Sequence, residues 1–138
     1  MSEQGSRLIP NLVYQDAAQA IDWLAEAFGF ECTLRVDANR GGIAHAQLVH
    51  GDSMIMLSSV RDDNFGKNFA APPTIGANTQ GIYLVVDDVQ GYYDRANAAG
   101  AETILPVTEQ DYGGSGFTVR DIGGHIWSFG SYNPWLGL

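Results

Sequence analysis

The three histidines are the side chains best suited to chemistry near neutral pH, because imidazole titrates in that range and also binds metal ions. They stand at positions 45, 50 and 125. The predicted strand at 43–50 contains the first two, and another predicted strand contains the third. No two of them have the i, i+2 or i, i+4 spacing that would specify a shared metal. Strand alternation places His45 and Gln47 on one face. For His45 two readings stay open: contact with a ligand or acid–base catalysis, and a hydrogen bond within the sheet.

The other two histidines carry weaker functional signals. His50 borders the turn at Gly51, so we expect it to be exposed. His125 falls on the same side as Trp127 and Phe129 by alternation, which predicts a structural position.

The remaining reactive residue types are sparse. Cys32 is the single cysteine, so it can form neither an intrachain disulfide nor a cysteine-rich zinc site, and we expect a packed strand residue. The glycines from Gly113 to Gly116 lie between strand-like segments rather than before a helix, which excludes a phosphate-binding loop. Asp62 and Asp63 lack the spacing of a calcium loop. No Ser-His-Asp arrangement can be identified from spacing.

Composition limits the partners of this chain. Its 138 residues fit one domain, with 45% hydrophobic and 17% charged residues. The formal net charge of -9 makes nucleic acid and anionic membranes unfavourable partners. No apolar run is long enough to span a membrane, and the N-terminal residues lack the apolar region of a signal peptide. We therefore expect a soluble cytoplasmic protein.

The first half of the chain predicts a β-α-β-β-β order. Asp16 is a candidate N-cap, an alanine-rich helix follows with its apolar residues at helical spacing, and Gly29 is placed to end it. The predicted elements are a strand at 8–15, the helix at 17–28, and strands at 31–36, 43–50 and 53–58.

The second half repeats this order after an irregular stretch at 59–79. Asp88 is again a candidate cap, and Gly100 follows the helix. The predicted elements are a strand at 81–86, a helix at 89–99, and strands at 101–105, 116–120 and 125–131. We therefore predict an α+β fold of two tandem βαβββ modules in one domain, with module 1 at 7–60, a connector at 61–78 and module 2 at 79–133.

Three segments resemble the glyoxalase/bleomycin-resistance family, also called the vicinal-oxygen-chelate superfamily. They are HAQLVHGDSMIML (45–57), YLVVDDVQGYYDRANAAGAE (83–102) and YGGSGFTVRDIGGHIWSFGSY (112–132). The last is similar to a DPxGHxWxF signature of the PhnB-like branch. It has Ile122 in place of the usual proline, and Gly114 and Ser115 where that branch often has arginine. The resemblance implies a curved mixed sheet around a concave cavity.

Enzymes of this family hold a divalent metal on His and Glu ligands, two from each module. The resemblance places the corresponding positions at Ile9, near Met56, at Gly81 and at Ser128. Side chains of these types do not form a divalent-cation site. We therefore expect no metal and no other cofactor.

Alternation gives the expected cavity lining. If Ser128 faces inward, Trp127 and Phe129 pack beneath the helices, and Met54 and Met56 face the cavity from their own strand. This composition suits a flat or aromatic organic molecule, although a stripe of methionines is also typical of core. The expected ligand-binding residues are Asn11, His45, Gln47, Met54, Met56, Tyr83 and Ser128.

Three functions remain compatible with the sequence. The first is a metal-free protein that binds a cationic or aromatic drug or metabolite and sequesters it; the acidic charge favours cations, and the expected lining suits an aromatic molecule. The second is a metal-dependent lyase, isomerase or dioxygenase. The third is a metal-free enzyme with His45 or Tyr83 as the acid–base group. The resemblance also implies a homodimer with grooves built by both subunits, and the connector permits pairing of modules within one chain or between two. Trp135, near the C-terminus, is expected to cover a sheet of its own chain or of a partner.

Overall fold

The computed structural model describes residues 5–138, so the first four residues of the polar N-terminal segment lie outside the described part. The elements follow the predicted order. They are β1 (Asn11–Tyr14), α1 (Ala17–Phe28), β2 (Glu31–Asp37), β3 (Ile43–His50), β4 (Ser53–Ser59), α2 (Pro72–Ile75), β5 (Ile82–Val85), α3 (Val89–Ala98), β6 (Glu102–Glu109), β7 (Ser115–Arg120) and β8 (Ile126–Gly130), with short 3-10 turns at Gly66–Asn68 and Pro134–Gly137.

The strands form two four-stranded mixed sheets, one from each half of the chain. The first sheet has the order β1-β4-β3-β2 and the second has the order β5-β8-β7-β6. In both, the edge strand before the helix pairs in parallel with the last strand, and the other pairs are antiparallel. The predicted α+β fold of two βαβββ modules is confirmed.

The two long helices begin in the same way. The Asp16 carboxylate accepts a hydrogen bond from the backbone N–H of Gln19, and the Asp88 carboxylate accepts one from Gly91. Each bond satisfies an N–H that has no partner within its helix. Gly29 ends α1 in the left-handed conformation, with φ 80°.

Each of these helices also binds the end of the other. The Trp23 indole N–H of α1 donates to the carbonyl of Ala99, which follows α3, at 2.8 Å. In return, the Arg95 guanidinium of α3 donates to the carbonyls of Glu26 and Ala25 near the end of α1, at 2.6 and 3.0 Å. These bonds satisfy carbonyls at the helix ends and hold the two modules together.

One hydrophobic core joins the modules. Phe28 of α1 lies with its ring centroid 5.1 Å from Trp127 and 4.7 Å from Phe129, both on β8. The ring of Tyr92 on α3 also stacks on that of Phe129, with centroids 5.7 Å apart. Trp127 and Phe129 are fully buried, as alternation predicts.

A buried carboxylate also links the halves. Asp121 Oδ2 accepts hydrogen bonds from the Tyr14 hydroxyl at 2.6 Å and the Trp127 indole at 3.0 Å. Asp121 Oδ1 accepts from the backbone N–H groups of Gly123 and His125. Burial raises the pKa of the Tyr14 phenol well above its usual range, and the Asp121 charge and hydrogen bond raise it further. Asp121 therefore fixes the turn before β8 against β1.

Several sequence expectations need correction. β1 begins at Asn11 rather than residue 8, and β6 continues to Glu109 rather than ending at residue 105. A register irregularity in the β6–β7 pair accommodates Pro106, which cannot donate a ladder hydrogen bond. The connector was expected to be irregular throughout but contains α2 and a 3-10 turn.

His50 is half-buried rather than exposed. Its Nε2 lies 2.6 Å from the Tyr92 hydroxyl, and its ring is 5.4 Å from that of Phe30. The C-terminal Trp135 is 77% exposed, so it does not cover a sheet of its own chain. Within residues 5–138, no helix is both long enough and apolar enough to cross a membrane.

Candidate functional site

Each sheet has one face in the core and one open face that points away from the helices. On β4, Ile55 and Leu57 are buried in the core, whereas Met54 and Met56 are half-buried on the other side. On β8, Trp127 and Phe129 are buried and Ser128 is half-buried. We call the two sides away from the core the first open face and the second open face.

The strand register defines one row of side chains across the first open face. Asn11 pairs with Met56, Met56 with Gln47, and Gln47 with Leu34. His45 and Met54 lie on neighbouring rows of the same face. The row presents amides and a thioether, which can contact both polar and apolar parts of an organic molecule.

The corresponding row of the second open face has different chemistry. Tyr83 pairs with Ser128, Ser128 with Thr118, and Thr118 with Leu105. The Thr118 and Ser128 hydroxyls lie 2.8 Å apart and form a hydrogen bond. This row therefore presents hydroxyls between an aromatic ring and an aliphatic side chain.

A cavity of ≈ 310 Å³ lies on the second open face. Its size falls at the lower end of small-molecule pockets, about 300–1,000 Å³. No Asp, Glu, Lys or Arg is among its lining residues. The lining consists of Tyr83, Leu105, Pro106, Thr108, Gln110, Tyr112, Gly116, Phe117, Thr118, Ser128 and Phe129.

Two tyrosines, Tyr83 and Tyr112, line this cavity, and Tyr132 packs beside them. The rings of Tyr112 and Tyr132 meet edge to face at 4.8 Å, and the Tyr83 hydroxyl donates to the carbonyl of Tyr132 at 2.6 Å. Burial raises the pKa of the Tyr83 phenol, and the neighbouring phenols of Tyr112 and Tyr132 add to the increase. Tyr83 is therefore a neutral phenol at neutral pH, with its proton directed to a carbonyl.

Gly130 makes room for the Tyr83 ring. A Cβ atom at Gly130 would come 2.5 Å from the Tyr83 hydroxyl and 3.1 Å from the carbonyl oxygen of Ser115. Side chains in proteins do not approach this closely, so any larger residue would displace Tyr83.

The expected lining residues divide between these surfaces. Tyr83 and Ser128 line the cavity on the second open face. Asn11 lines a separate cavity beneath the connector. The others, His45, Gln47, Met54 and Met56, share the first open face without lining either of those cavities.

Sequence reasoning missed most of the residues that line the cavity on the second open face, among them Leu105, Thr118 and Tyr112. Alternation along β7 would have found Thr118, because Phe117 and Val119 on either side are buried. Leu105 then follows from the register across to β6. Tyr112 reaches the cavity from a turn, where strand alternation gives no information.

The structure separates the three histidines. Within the described residues, the His45 imidazole makes no hydrogen bond, so nothing there supports the alternative of a hydrogen bond within the sheet. His125 Nε2 donates to the carbonyl of Val13 at 2.8 Å, and its ring lies 4.7 Å from that of Tyr14. This contact ties the start of β8 to β1 and supports a structural position for His125.

The sequence profile of the Glyoxalase/Bleomycin resistance protein/Dioxygenase superfamily matches residues 9–129. The chain belongs to this superfamily. A membership in the PhnB-like branch is not part of that match and stays a prediction.

Proteins of similar sequence or structure match most of this chain. An uncharacterized protein of Mycobacterium bovis is 34% identical over 123 residues, which is 89% of this chain and 81% of the relative. TioX from Micromonospora sp. ML1 is 31% identical, with a TM-score of 0.76, and the similarity covers 94% of this chain and 100% of TioX. The fosfomycin resistance protein FosX from Listeria monocytogenes has a TM-score of 0.68 at 14% identity, over 97% of this chain and 98% of FosX. The likeness to FosX concerns the fold alone.

The superfamily implies a divalent metal centre, and the side chains of this chain do not fit one. The positions that the sequence resemblance assigns to ligands hold Ile9, Met56, Gly81 and Ser128, which supply one thioether and one hydroxyl. Such donors do not match the imidazole and carboxylate ligands of a divalent-metal centre. Among residues 5–138, no three His, Cys, Asp or Glu side chains are grouped closely enough to hold a metal ion.

Proposed function

We propose that this superfamily member binds a small, flat organic molecule on its open faces and sequesters it without a metal. The observation that carries the proposal is the cavity of ≈ 310 Å³ on the second open face, rimmed by tyrosines and floored by the Thr118 and Ser128 hydroxyls. Apolar and aromatic walls with few polar groups are typical of small-molecule sites.

Charge favours a cationic aromatic ligand. Tyrosine faces attract cations, and the net charge of -9 attracts them over longer distances. No lysine or arginine lines the cavity to oppose a positive ligand. The hydroxyls of Thr118 and Ser128 can orient the ligand by hydrogen bonds to its edge.

A second copy of the chain is proposed to complete the site. Members of the superfamily commonly bind small molecules and are often dimeric. Large apolar side chains on both open faces remain at least one-third exposed in a single chain, including Leu34, Val36, Tyr83 and Leu105. Pairing the first open face of one copy with the second open face of another would cover them. The expected binding residues of both faces, from Asn11 and Met56 to Tyr83 and Ser128, would then line one groove.

We favour a binding function over an enzymatic one because the candidate acid–base groups are poorly placed for catalysis. The Tyr83 phenol holds its proton and directs it to the Tyr132 carbonyl, so it is not poised as a general base. His45 has no partner within residues 5–138 that would orient its imidazole. A superfamily enzyme, acting as a lyase, isomerase or dioxygenase, is the alternative. We also propose that the protein acts in the cytoplasm.

A fluorescence titration with the planar cation proflavine tests the proposal. We expect saturable binding to the wild type and at least about tenfold weaker binding to Gly130→Val, because the new side chain displaces the Tyr83 ring. Gln90→Ala on the outer surface of α3 is the matched control. Uncharged acridine should bind more weakly than proflavine if charge contributes.

Two results would contradict the proposal. Equal binding of proflavine to the wild type and Gly130→Val would show that proflavine does not bind in the cavity beside Tyr83. Recovery of a chemically altered ligand after incubation with the protein would favour the enzyme alternative.

A further inference from the structure

A second cavity lies between the connector and the seam of the two modules. It encloses ≈ 280 Å³. Its floor includes Asn11 of β1 and Ile126 of β8, and its roof includes Phe69 and Ile75 of the connector. The connector is thus a part of a cavity wall as well as a link between halves.

The roof is attached to the body at several points. The Asn78 amide donates to the carbonyl of Gly124 at 2.9 Å, and the Gln15 amide donates to the Thr74 hydroxyl at 3.3 Å. Pro72 and Pro73 pack so closely on Gly124 that a Cβ atom there would come within 3.1–3.3 Å of them. These contacts fix the roof, so the cavity is preformed.

The polar side chains that line this cavity are mostly amides. Asn11, Asn68, Asn78 and Gln80 supply carboxamides, the His125 imidazole also lines the cavity, and no Asp, Glu, Lys or Arg is among the lining residues. The lining therefore lacks the acidic side chains that make the chain as a whole negatively charged. A ligand in this cavity would therefore meet amide donors and acceptors but no lysine, arginine or carboxylate side chain.

Hydrogen bonding leaves specific groups available to a ligand. The Asn68 and Asn78 amide N–H groups donate to backbone carbonyls. Their side-chain oxygens are left as acceptors. Within residues 5–138, the side-chain amides of Asn11 and Gln80 make no hydrogen bond. Each of these two side-chain amides can therefore donate one hydrogen bond to a ligand amide and accept another from it.

We infer that the connector cavity is a second binding site, selective for a small neutral ligand that carries an amide on a ring. Phe69, Ile75 and Ile126 contact the ring, while Asn11 and Gln80 pair with the amide group. The site shares no lining residue with the cavity on the second open face. Asn11 also belongs to the row of side chains on the first open face.

Nicotinamide is a suitable ligand for the test, with nicotinate as its charged counterpart of the same shape. In ¹H–¹⁵N spectra of the full chain, nicotinamide should shift the side-chain amide signals of Asn11 and Gln80 in a saturable way. Nicotinate should bind at least about tenfold more weakly, because its carboxylate cannot donate to the side-chain oxygens of Asn11 and Gln80 and finds no lysine or arginine in the lining. The Gln110 side-chain signal, from the other cavity, should not move.

Variants separate amide recognition from a general effect on the fold. Gln80→Met keeps the length of an exposed side chain and removes its amide, so it should weaken nicotinamide about fivefold, as loss of one hydrogen bond does. Gln90→Met on α3 should leave nicotinamide binding unchanged. Proflavine binding should be the same in Gln80→Met and the wild type.

Three outcomes would overturn the inference. They are equal affinity for nicotinamide and nicotinate, shifts at Gln110 in place of Asn11 and Gln80, and no saturable shift up to the solubility limit. Each leaves the proposal for the second open face intact, since that proposal is tested by proflavine and Gly130→Val.

Discussion

The two open faces share a backbone plan and differ in chemistry. Both sheets have the same strand order and the same pairing directions. The row of the first face is Leu34, Gln47, Met56 and Asn11; the row of the second is Leu105, Thr118, Ser128 and Tyr83. A repeated fold therefore supplies two unlike surfaces, one of amides and a thioether and one of hydroxyls and a phenol.

One turn position accounts for part of the difference. The turn before β3 and the turn before β7 have the same hydrogen bonds, and each ends in two glycines with positive φ. The residue before the glycines is Arg40 in the first turn and Tyr112 in the second. Tyr112 lines the cavity of its face, so a single side chain on a shared turn helps to enclose that face.

The largest expected effect concerns Asp121, which belongs to the second module but fixes β1 of the first. Asp121→Ala removes the acceptor of four hydrogen bonds, including those from Tyr14 and Trp127. Since each buried donor left without a partner costs ~1–3 kcal/mol, the free energy of unfolding should fall by about 3 kcal/mol or more. Urea unfolding followed by circular dichroism measures it. The exposed Asp111→Ala is the control, and equal stabilities for the two variants would show that Asp121 does not hold the modules together.

Filling each face in turn tests whether both take part in binding. Met56→Trp and Ser128→Trp place a large ring on corresponding positions of the two rows. If one groove contains both faces, each variant should weaken proflavine binding by ~2 kcal/mol or more, about 30-fold, while melting as the wild type does. Loss of binding in Ser128→Trp alone would restrict the site to the second face. Unfolding of Met56→Trp would mean that Met56 is core and that its assigned facing is wrong.

Replacing Tyr112 with the residue type of the first turn tests whether charge at the cavity rim controls the affinity for a cation. Tyr112→Arg introduces into the cavity rim the cation that the first turn carries, and should weaken proflavine about tenfold by repulsion and by loss of the ring. Tyr112→Phe keeps the ring and should change the affinity by less than about threefold. If Tyr112→Arg and Tyr112→Phe lower the affinity for proflavine equally, charge at the rim does not contribute to binding.

The smallest expected effect concerns His45 on the first face. His45→Ala should weaken proflavine by about two- to fivefold, the range of one peripheral contact. Titration of the variant beside Gln90→Ala measures the difference. An unchanged affinity would exclude His45 from the binding site.

Alternation and cap residues were enough to predict most of the fold. Asp16 and Asp88 begin the helices, Gly29 ends the first, and Trp127 and Phe129 alternate into the core. These features depend on residues that are close together in the chain, so they can be predicted from a single sequence.

Features set by distant contacts were not predictable in the same way. The burial of His50 depends on Tyr92, which arrives from the other module. The position of Tyr112 over the cavity depends on the path of a turn between paired strands. The cavity beneath the connector requires α2 to fold back onto Gly124, which no periodic pattern indicates.

Metal content and metal response of the purified protein test the central claim most directly, that the open faces bind organic ligands without a metal centre. Elemental analysis is combined with melting curves in nickel, zinc, manganese, cobalt and ferrous iron. We predict less than ~0.1 equivalent of any metal and no increase in melting temperature beyond about one degree, because the donors at Ile9, Met56, Gly81 and Ser128 do not fit a divalent cation. A stoichiometric metal, or a shift of several degrees with one ion, would contradict the claim and place the enzyme alternative first.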